Sequence, residues 1–376
     1  MICIVWDGFP QYGARCVRAL VEGVCDGKVV VVGRRPAVPD KGMESICGCP
    51  VIWIDNNEHR RIADICGEMP RFISIAGWKV PVYDQWRDEV RASGGIAICG
   101  SDNNYPLDGG VLGIRGLVAL FKLLVGAMRF RISREGRYDG FFVPGKSGRR
   151  LFRFYGVENE RIAEGSYSAD ATLYFNGQPL RERERRIIYV GQFVCRKNVV
   201  RMVRAFESAA RKVGGGWTLE LYGSGELRSR LEALSIGVNA SLAGCRSCVK
   251  INDFVRTEQL APLYRRARIF CLPSLEEHWG LVVHEAALSG CVLLLGRTIG
   301  AAADLLGGKT GKDQYANGFS FDPYSTKGLE MAMMSAMTMD DASLDLAQSE
   351  SLRKAKSVSI DGYVSGIRKL MSLERR

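Results

Sequence analysis

Short apolar, β-branched runs alternate with amphipathic helical stretches from the first residues of the chain to about residue 295, and this alternation constrains the fold more than any single motif. Residues 2–6 and 28–33 are strand-like, and between them Val17, Leu20 and Val21 recur at helical spacing within 12–22. That is a βαβ unit. Further strands are predicted at 50–55, 71–76, 96–99 and 140–143, with helices at 83–92 and 111–131. A polar stretch carrying Gly177, Pro179 and an alternating Arg/Glu run follows, and the alternation then restarts. In this second half strands are predicted at 187–190, 217–222, 248–251, 269–273 and 291–295, and helices at 199–212, 226–234, 257–267 and 281–289. Neighbouring parallel strands need crossovers, which helices supply, so each half reads as a parallel sheet covered by helices, the α/β class. A length of 376 residues exceeds one ordinary core. The expected organisation is a domain over 1–178, a linker over 179–186, a second domain over 187–340 and a helical tail over 341–376, with a cleft between the domains.

Composition narrows the function classes. An apolar content of 47% with 25% charged residues is that of a folded soluble protein. Residues 1–5 lack a basic flank and a cleavage site, so they read as a buried strand and not a secretory signal. The most apolar helical stretch, 110–130, is interrupted by Arg115, Lys122 and Arg129, so no spanning helix is expected. Twelve cysteines are scattered, several inside apolar strands (Cys3, Cys99, Cys271, Cys291), which suits a reducing, cytoplasmic compartment. Cys245 and Cys248 form one C-x-x-C, Cys47 and Cys49 one C-x-C, and there are three histidines, too few ligands in pattern for a closed zinc site. No metal and no cofactor are expected.

The net charge of +11 attracts anions of every kind. No nucleic-acid reader motif accompanies it, and nucleic acid is not expected as a partner. Residues 111–137 set Leu112, Leu117, Leu120, Phe121, Leu124 and Met128 among cations. Two readings stay open for this stretch: an interfacial helix on anionic lipid, or a core helix with a solvated basic face. The first would place the protein peripherally on the cytoplasmic face of a membrane.

Ligands of open parallel sheets bind beyond the carboxyl ends of the strands. In the second half those positions carry Gly191, Gln192, Arg196 and Lys197 after one strand, Gly223 and Gly225 after the next, and Ser274, Glu277 and Gly280 after a third. Glycines let backbone approach a ligand, cations neutralise phosphate, and a helix starting near Gly280 offers the amides of Leu281 and Val282 to an anion. Glu277 and Glu285 bracket that helix start with seven residues between them, and both are expected to face the strand ends. Two carboxylates flanking an anion site suit a ligand with hydroxyls at both ends and phosphates between. His278 and His284 read as structural, with His278 the outside candidate for a phosphate contact, and Arg201 reads as part of a solvated helix face.

The blocks V-G-Q-F-V-C-R-K-N (190–198), L-Y-G-S-G-E (221–226), Y-R-R-A-R-I-F-C-L-P-S (264–274) and E-E-H-W-G-L-V-V-H-E-A-A-L-S-G-C-V (276–292) stand in this order. Together they resemble the retaining glycosyltransferases of GT-B fold called family 4, the glycosyl transferases group 1, whose E-x7-E signature lies in the last block. The resemblance implies two Rossmann-like domains facing across a central cleft, with a nucleotide-sugar donor, UDP- or GDP-linked, held by the C-terminal one. It implies that Lys197 contacts the donor diphosphate, that Glu285 binds the ribose, and that Glu277 holds hydroxyls of the donor sugar, which makes Glu277 and Lys197 the catalytic candidates. Gly223 and Gly225 would line the nucleotide pocket, and no metal would take part. Many members carry arginine where this chain has Gln192, so one phosphate cation is absent and Arg196 stands as its replacement. The N-terminal half resembles the family more loosely. Gly13, Trp78, Lys79 and Asp102 are its acceptor-side candidates, and the acceptor implied is a glycan or lipid-linked glycan of surface polysaccharide or glycoconjugate synthesis. The tail is expected to cross back onto the first domain. The alternative from another class is a catalytically degenerate relative acting as a sugar-nucleotide-binding or partner subunit.

Overall fold

The alternation resolves into two seven-stranded sheets, one in each of two compact units. The structure is a computed structural model describing residues 1–23, 28–35, 42–76, 80–107, 114–133 and 136–374. The first unit contains β1 (Ile2–Val5), α1 (Gln11–Gly23), β2 (Val29–Arg34), α2 (Met43–Cys47), β3 (Val51–Ile54), α3 (Ile62–Cys66), β4 (Phe72–Ala76), α4 (Pro81–Ala92), β5 (Ile96–Gly100), α5 (Ile114–Ser133, from residue 117 onward), β6 (Gly140–Val143), α6 (Lys146–Phe154) and β7 (Ile162–Glu164). Its strands run parallel in the order β3-β2-β1-β4-β5-β6-β7.

The second unit contains α7 (Ala171–Tyr174), β8 (Glu184–Val190), α8 (Val199–Val213), β9 (Thr218–Tyr222), α9 (Arg228–Leu242), β10 (Cys248–Asn252), α10 (Thr257–Arg266), β11 (Ala267–Leu272), α11 (Leu281–Leu288), β12 (Val292–Gly296), α12 (Ala302–Leu305), β13 (Gln314–Tyr315), β14 (Gly318–Phe321), α13 (Thr326–Met337) and α14 (Asp341–Lys356). The order is β10-β9-β8-β11-β12-β14-β13, parallel except for the β13/β14 pair. The final helix, α15 (Ile360–Met371), belongs to the first unit.

Both faces of the first sheet are buried, and period-two alternation sorts the side chains. Cys3, Val5, Val30, Val32, Ile73 and Ile75 join Tyr83, Trp86 and Val90 of α4 and Phe130 of α5 on one face. Ile2, Ile4, Val29, Val31 and Phe72 join Val17 and Leu20 of α1 and Ile367 and Leu370 of α15 on the other. A strand covered on two faces must be apolar at every position, which is why these runs read as continuous in the sequence.

Several boundaries differ from expectation. The units divide between Asp170 and Ala171, not after 178. Residues 179–186 are not a free linker: Leu180–Glu182 form a single 3-10 turn and β8 begins at Glu184. Buried Arg183 donates to the Ala267 and Ser289 carbonyls at 3.2 and 2.8 Å, and Arg186 pairs with Glu220 and Glu184. The run is too polar for a core element when read alone, and tertiary partners satisfy it: carbonyls take the Arg183 hydrogen bonds and the Glu220 carboxylate pairs with Arg186. The tail is two helices, broken where Ser359 accepts a hydrogen bond from the Gly362 amide at 3.1 Å, and α14 stays with the second unit. Elements α2, α3 and β7 are too short to show periodicity, and α9 runs two turns beyond the expected 226–234.

Candidate functional site

In the second sheet the winding reverses between β8 and β11, so the loops after these two strands flank a topological switch point. The two loops are stitched together. Cys195–Lys197 form one 3-10 turn, closed by Asn198 in the left-handed region at φ 60°. The Asn198 side-chain amide donates to the carbonyls of Pro273 and Pro323 at 3.1 and 2.7 Å, and the Leu275 amide donates to the Arg196 carbonyl at 2.8 Å. Asparagine tolerates this backbone conformation better than other side chains, which explains its place here.

The turn aims Lys197 inward. Its Nζ donates to Glu277 Oε2, to which Ser274 Oγ also donates at 3.3 Å. Lys197 and Glu277 are largely shielded from water, at 10% and 14% side-chain exposure, so each is the other's main counter-charge. Gly280, at φ 95°, then opens α11, whose first amides, at Leu281 and Val282, have no acceptor within the helix by geometry. The segment is fixed from behind. Trp279 Nε1 donates to Asp304 at 3.0 Å in the interior, and the amides of Gly300 and Ala301 donate to the carbonyls of Glu277 and Trp279.

Gln192 and Arg196 lie together on the exposed side of the β8 loop, the guanidinium donating to Gln192 Oε1 at 3.3 Å. The glycines also meet a packing demand inside the unit. A Cβ on Gly223 would lie 1.9 Å from the Gly191 carbonyl oxygen, and one on Gly225, at φ 150°, would lie 2.6 Å from that of Phe193. Their freedom is used by the neighbouring β8 loop, which packs against them, and the Phe193 amide donates to Ser224 at 2.8 Å.

Glu285 corrects the expectation that both carboxylates face the strand ends. It sits in the second turn of α11, 6% exposed, turned to α10 and α7, where Tyr264 donates to it at 3.0 Å. Burial raises its carboxyl to about 7, against the opposing effect of hydrogen bonds from Tyr264 and Tyr174. Neither tyrosine stands out in the sequence. Tyr264 lies at the start of one of the family blocks, and only the helix packing reveals its role. His284, next to Glu285 in the chain, points to α14 and bonds the Ala355 carbonyl at 3.0 Å, and burial lowers its pKa to about 4. It is structural, as expected. His278 is exposed. Arg201, expected on a solvated face, instead donates to the Pro323 carbonyl at 2.7 Å.

Residues 170–353 match the family model described as glycosyl transferases group 1. This stretch belongs to the glycosyl transferases group 1. A curated relative, an uncharacterized glycosyltransferase of Methanocaldococcus jannaschii, is 29% identical over 111 residues, a match covering 30% of this chain and 27% of that one. Among solved structures, sucrose-phosphate synthase from Thermosynechococcus elongatus superposes with TM-score 0.70 at 16% identity, covering 98% of this chain and 97% of that one. HepE of Anabaena, in complex with UDP and glucose, gives 0.69 at 14% identity, with 99% of each chain covered. WaaG, a glycosyltransferase involved in lipopolysaccharide biosynthesis, gives 0.60 at 17% identity, covering 99% of this chain and 100% of that one. The fold is thus GT-B, with two α/β units of Rossmann-like strand order.

In the unit that precedes the group 1 stretch, the strand ends carry an aromatic group: Trp6 and Tyr12 pack at 5.9 Å between ring centroids and Tyr12 meets Tyr167 edge-on at 5.5 Å. Asp102 is partly buried and close enough to both tyrosines to raise their pKa electrostatically, beneath the larger effect of burial. Gly13 does not reach a ligand surface. It is buried in the first turn of α1, where a Cβ would press on Phe9 and Trp6 at 3.1 and 3.2 Å, so it serves helix-to-strand packing. Trp78 and Lys79 lie outside the described residues. Among the described residues no three His, Cys, Asp or Glu side chains gather as metal ligands.

Proposed function

We propose that this protein is a retaining, metal-independent glycosyltransferase. It moves a sugar from a UDP- or GDP-linked donor to a glycan or lipid-linked glycan acceptor, in the assembly of surface polysaccharide or glycoconjugate at the cytoplasmic side. The observation that carries the reading is the meeting of Lys197, Glu277 and Ser274 beside the N-terminus of α11, at the switch point between β8 and β11. Without donor, the Lys197 ammonium is neutralised by Glu277. A donor diphosphate offers it a stronger, doubly anionic partner, backed by the α11 amides and by Arg196 on the rim. Exchange of partners frees Glu277 to accept hydrogen bonds from sugar hydroxyls, so donor binding and sugar positioning are one event. Cation and helix amides then carry the charge of the leaving diphosphate. A leaving phosphate that assists the incoming hydroxyl on the same face requires no side-chain nucleophile. HepE, similar in fold, holds UDP and glucose, which favours UDP as the first donor to try.

The test is nucleotide release from a panel of UDP- and GDP-sugars, with and without EDTA, for wild type, Lys197→Ala and Glu277→Gln. Release that survives EDTA and falls at least about a hundredfold in both variants is the expected result. Nucleotide binding without release of product for any donor, by folded wild type, would instead establish a binding subunit.

A further inference from the structure

The outer face of α5 gathers a run of exposed apolar side chains. Leu117, Val118, Phe121, Leu124, Met128 and Ile132 are all exposed, Phe121 at 68% and Ile132 at 78%. At about 100° per residue these six side chains fall within one stripe roughly 120° wide. Opposite the stripe, the helix is anchored in its own unit. Leu123 and Phe130 are buried, Phe130 stacks on Tyr155 at 5.2 Å, and Gly126 gives the Tyr155 hydroxyl room that a Cβ would deny it. The cations lie between these two sectors. Lys122 and Arg129 flank one edge of the stripe and Arg131 the other, all three are exposed, and α5 contains no acidic residue.

We propose that α5 docks the protein on the surface of a bilayer rich in anionic phospholipid, the helix lying in the interfacial plane. A core helix would bury this stripe, and here its other side is the buried one. The arrangement of apolar wedge and flanking cations matches an interface in which acyl chains lie below and phosphate headgroups lie to either side. A helix of 20 residues spans about 30 Å, enough for a flat contact of five turns. No helix of the described residues is long and apolar enough to cross a membrane, so attachment of this kind would be peripheral and reversible. A protein partner of matching shape would need acidic residues on both sides of an apolar groove, whereas an anionic bilayer supplies that pattern everywhere along its surface. The inference is independent of the transfer chemistry and stands or falls on α5 alone.

The experiment is co-sedimentation of the full chain with phosphatidylcholine vesicles containing none or about a third phosphatidylglycerol, at low and high salt. Wild type is expected to bind the anionic vesicles and not the neutral ones. Phe121→Asp/Met128→Asp should abolish binding. Lys122→Gln/Arg129→Gln should weaken it about fivefold per cation removed. All substituted side chains are exposed, and an unchanged thermal transition and nucleotide affinity in each variant would keep the comparison free of misfolding. Equal binding to neutral vesicles, no binding to either, or binding that both variants retain would overturn the proposal. So would a wild-type dimer in sedimentation velocity that Phe121→Asp/Met128→Asp converts to monomer, because the face would then be an interface between copies of the chain.

Discussion

Glu285 and His284 are neighbours on α11 whose buried side chains titrate in opposite senses, and together they should hide each other's effect on stability. Burial raises the Glu285 carboxyl from its ordinary 4.5 to about 7, so between these values the native state holds a proton that the unfolded chain releases. Its contribution is fully present below pH 4.5 and is lost as pH rises through 7. Burial lowers His284 from 6.5 to about 4, so the unfolded chain binds the proton first and stability is lost as pH falls from 6.5 towards 4. Each gap corresponds to roughly 3 kcal/mol. The windows overlap between 4.5 and 6.5, and there the two slopes cancel. Glu285→Gln removes one of them. The variant should therefore lose about 3 kcal/mol relative to wild type on going from pH 7.5 to pH 4.5, with the His284 slope left uncovered. Urea unfolding followed by tryptophan fluorescence at intervals across that range measures it. The difference between the two proteins is the quantity to plot, because the other carboxylates are common to both. A difference that stays constant with pH would refute the buried, raised carboxyl. If Glu285 also binds the donor ribose as a carboxylate, nucleotide affinity should fall about tenfold per pH unit below 7 in wild type and be flat in the variant.

Gly223→Ala forces a Cβ to 1.9 Å from the Gly191 carbonyl oxygen, so it should destabilise by about 1–3 kcal/mol and weaken nucleotide binding by shifting the β8 loop, both readable by denaturation and titration. At Gly237 of α9 an added methyl would meet no heavy atom within 4 Å, and Gly237→Ala is expected to stabilise by about 0.5–1 kcal/mol in the same assay. Asn198→Ala loses the two hydrogen bonds to Pro273 and Pro323 and places a poorer residue in the left-handed region; a loss of about 2–3 kcal/mol and a rise in donor KM should appear together. Trp279→Phe keeps an aromatic ring but deletes the bond to Asp304, leaving a buried carboxylate without that donor; about 1–3 kcal/mol of stability should go, and Asp304→Asn should recover part of it in the double variant.

The local features of this chain are legible without a structure. Strand and helix alternation indicates the α/β class because burial on two faces imposes continuous apolar runs, and the loop chemistry points to Lys197, Glu277 and the start of α11 at residue 281, because strand ends and helix starts are read from nearest neighbours in the chain. Tertiary partners decide the rest. The Arg/Glu run at 181–186 has the composition of a linker, yet Arg183 finds the Ala267 and Ser289 carbonyls and Arg186 finds Glu220. Glu285 has the spacing of a surface ligand, yet α10 and α7 close over it and Tyr264 bonds it. Gly223 and Gly225 suggest room for a ligand, and the structure shows that the space a Cβ would take at each belongs to the backbone of Gly191 and Phe193. The side of α5 that faces the core is undecided in the sequence for the same reason: its residues are apolar nearly all round, and only the docking of Phe130 against Tyr155 selects which stripe is left outward. A sequence specifies what each side chain prefers, whereas which preference is satisfied by protein and which by solvent depends on residues far away in the chain.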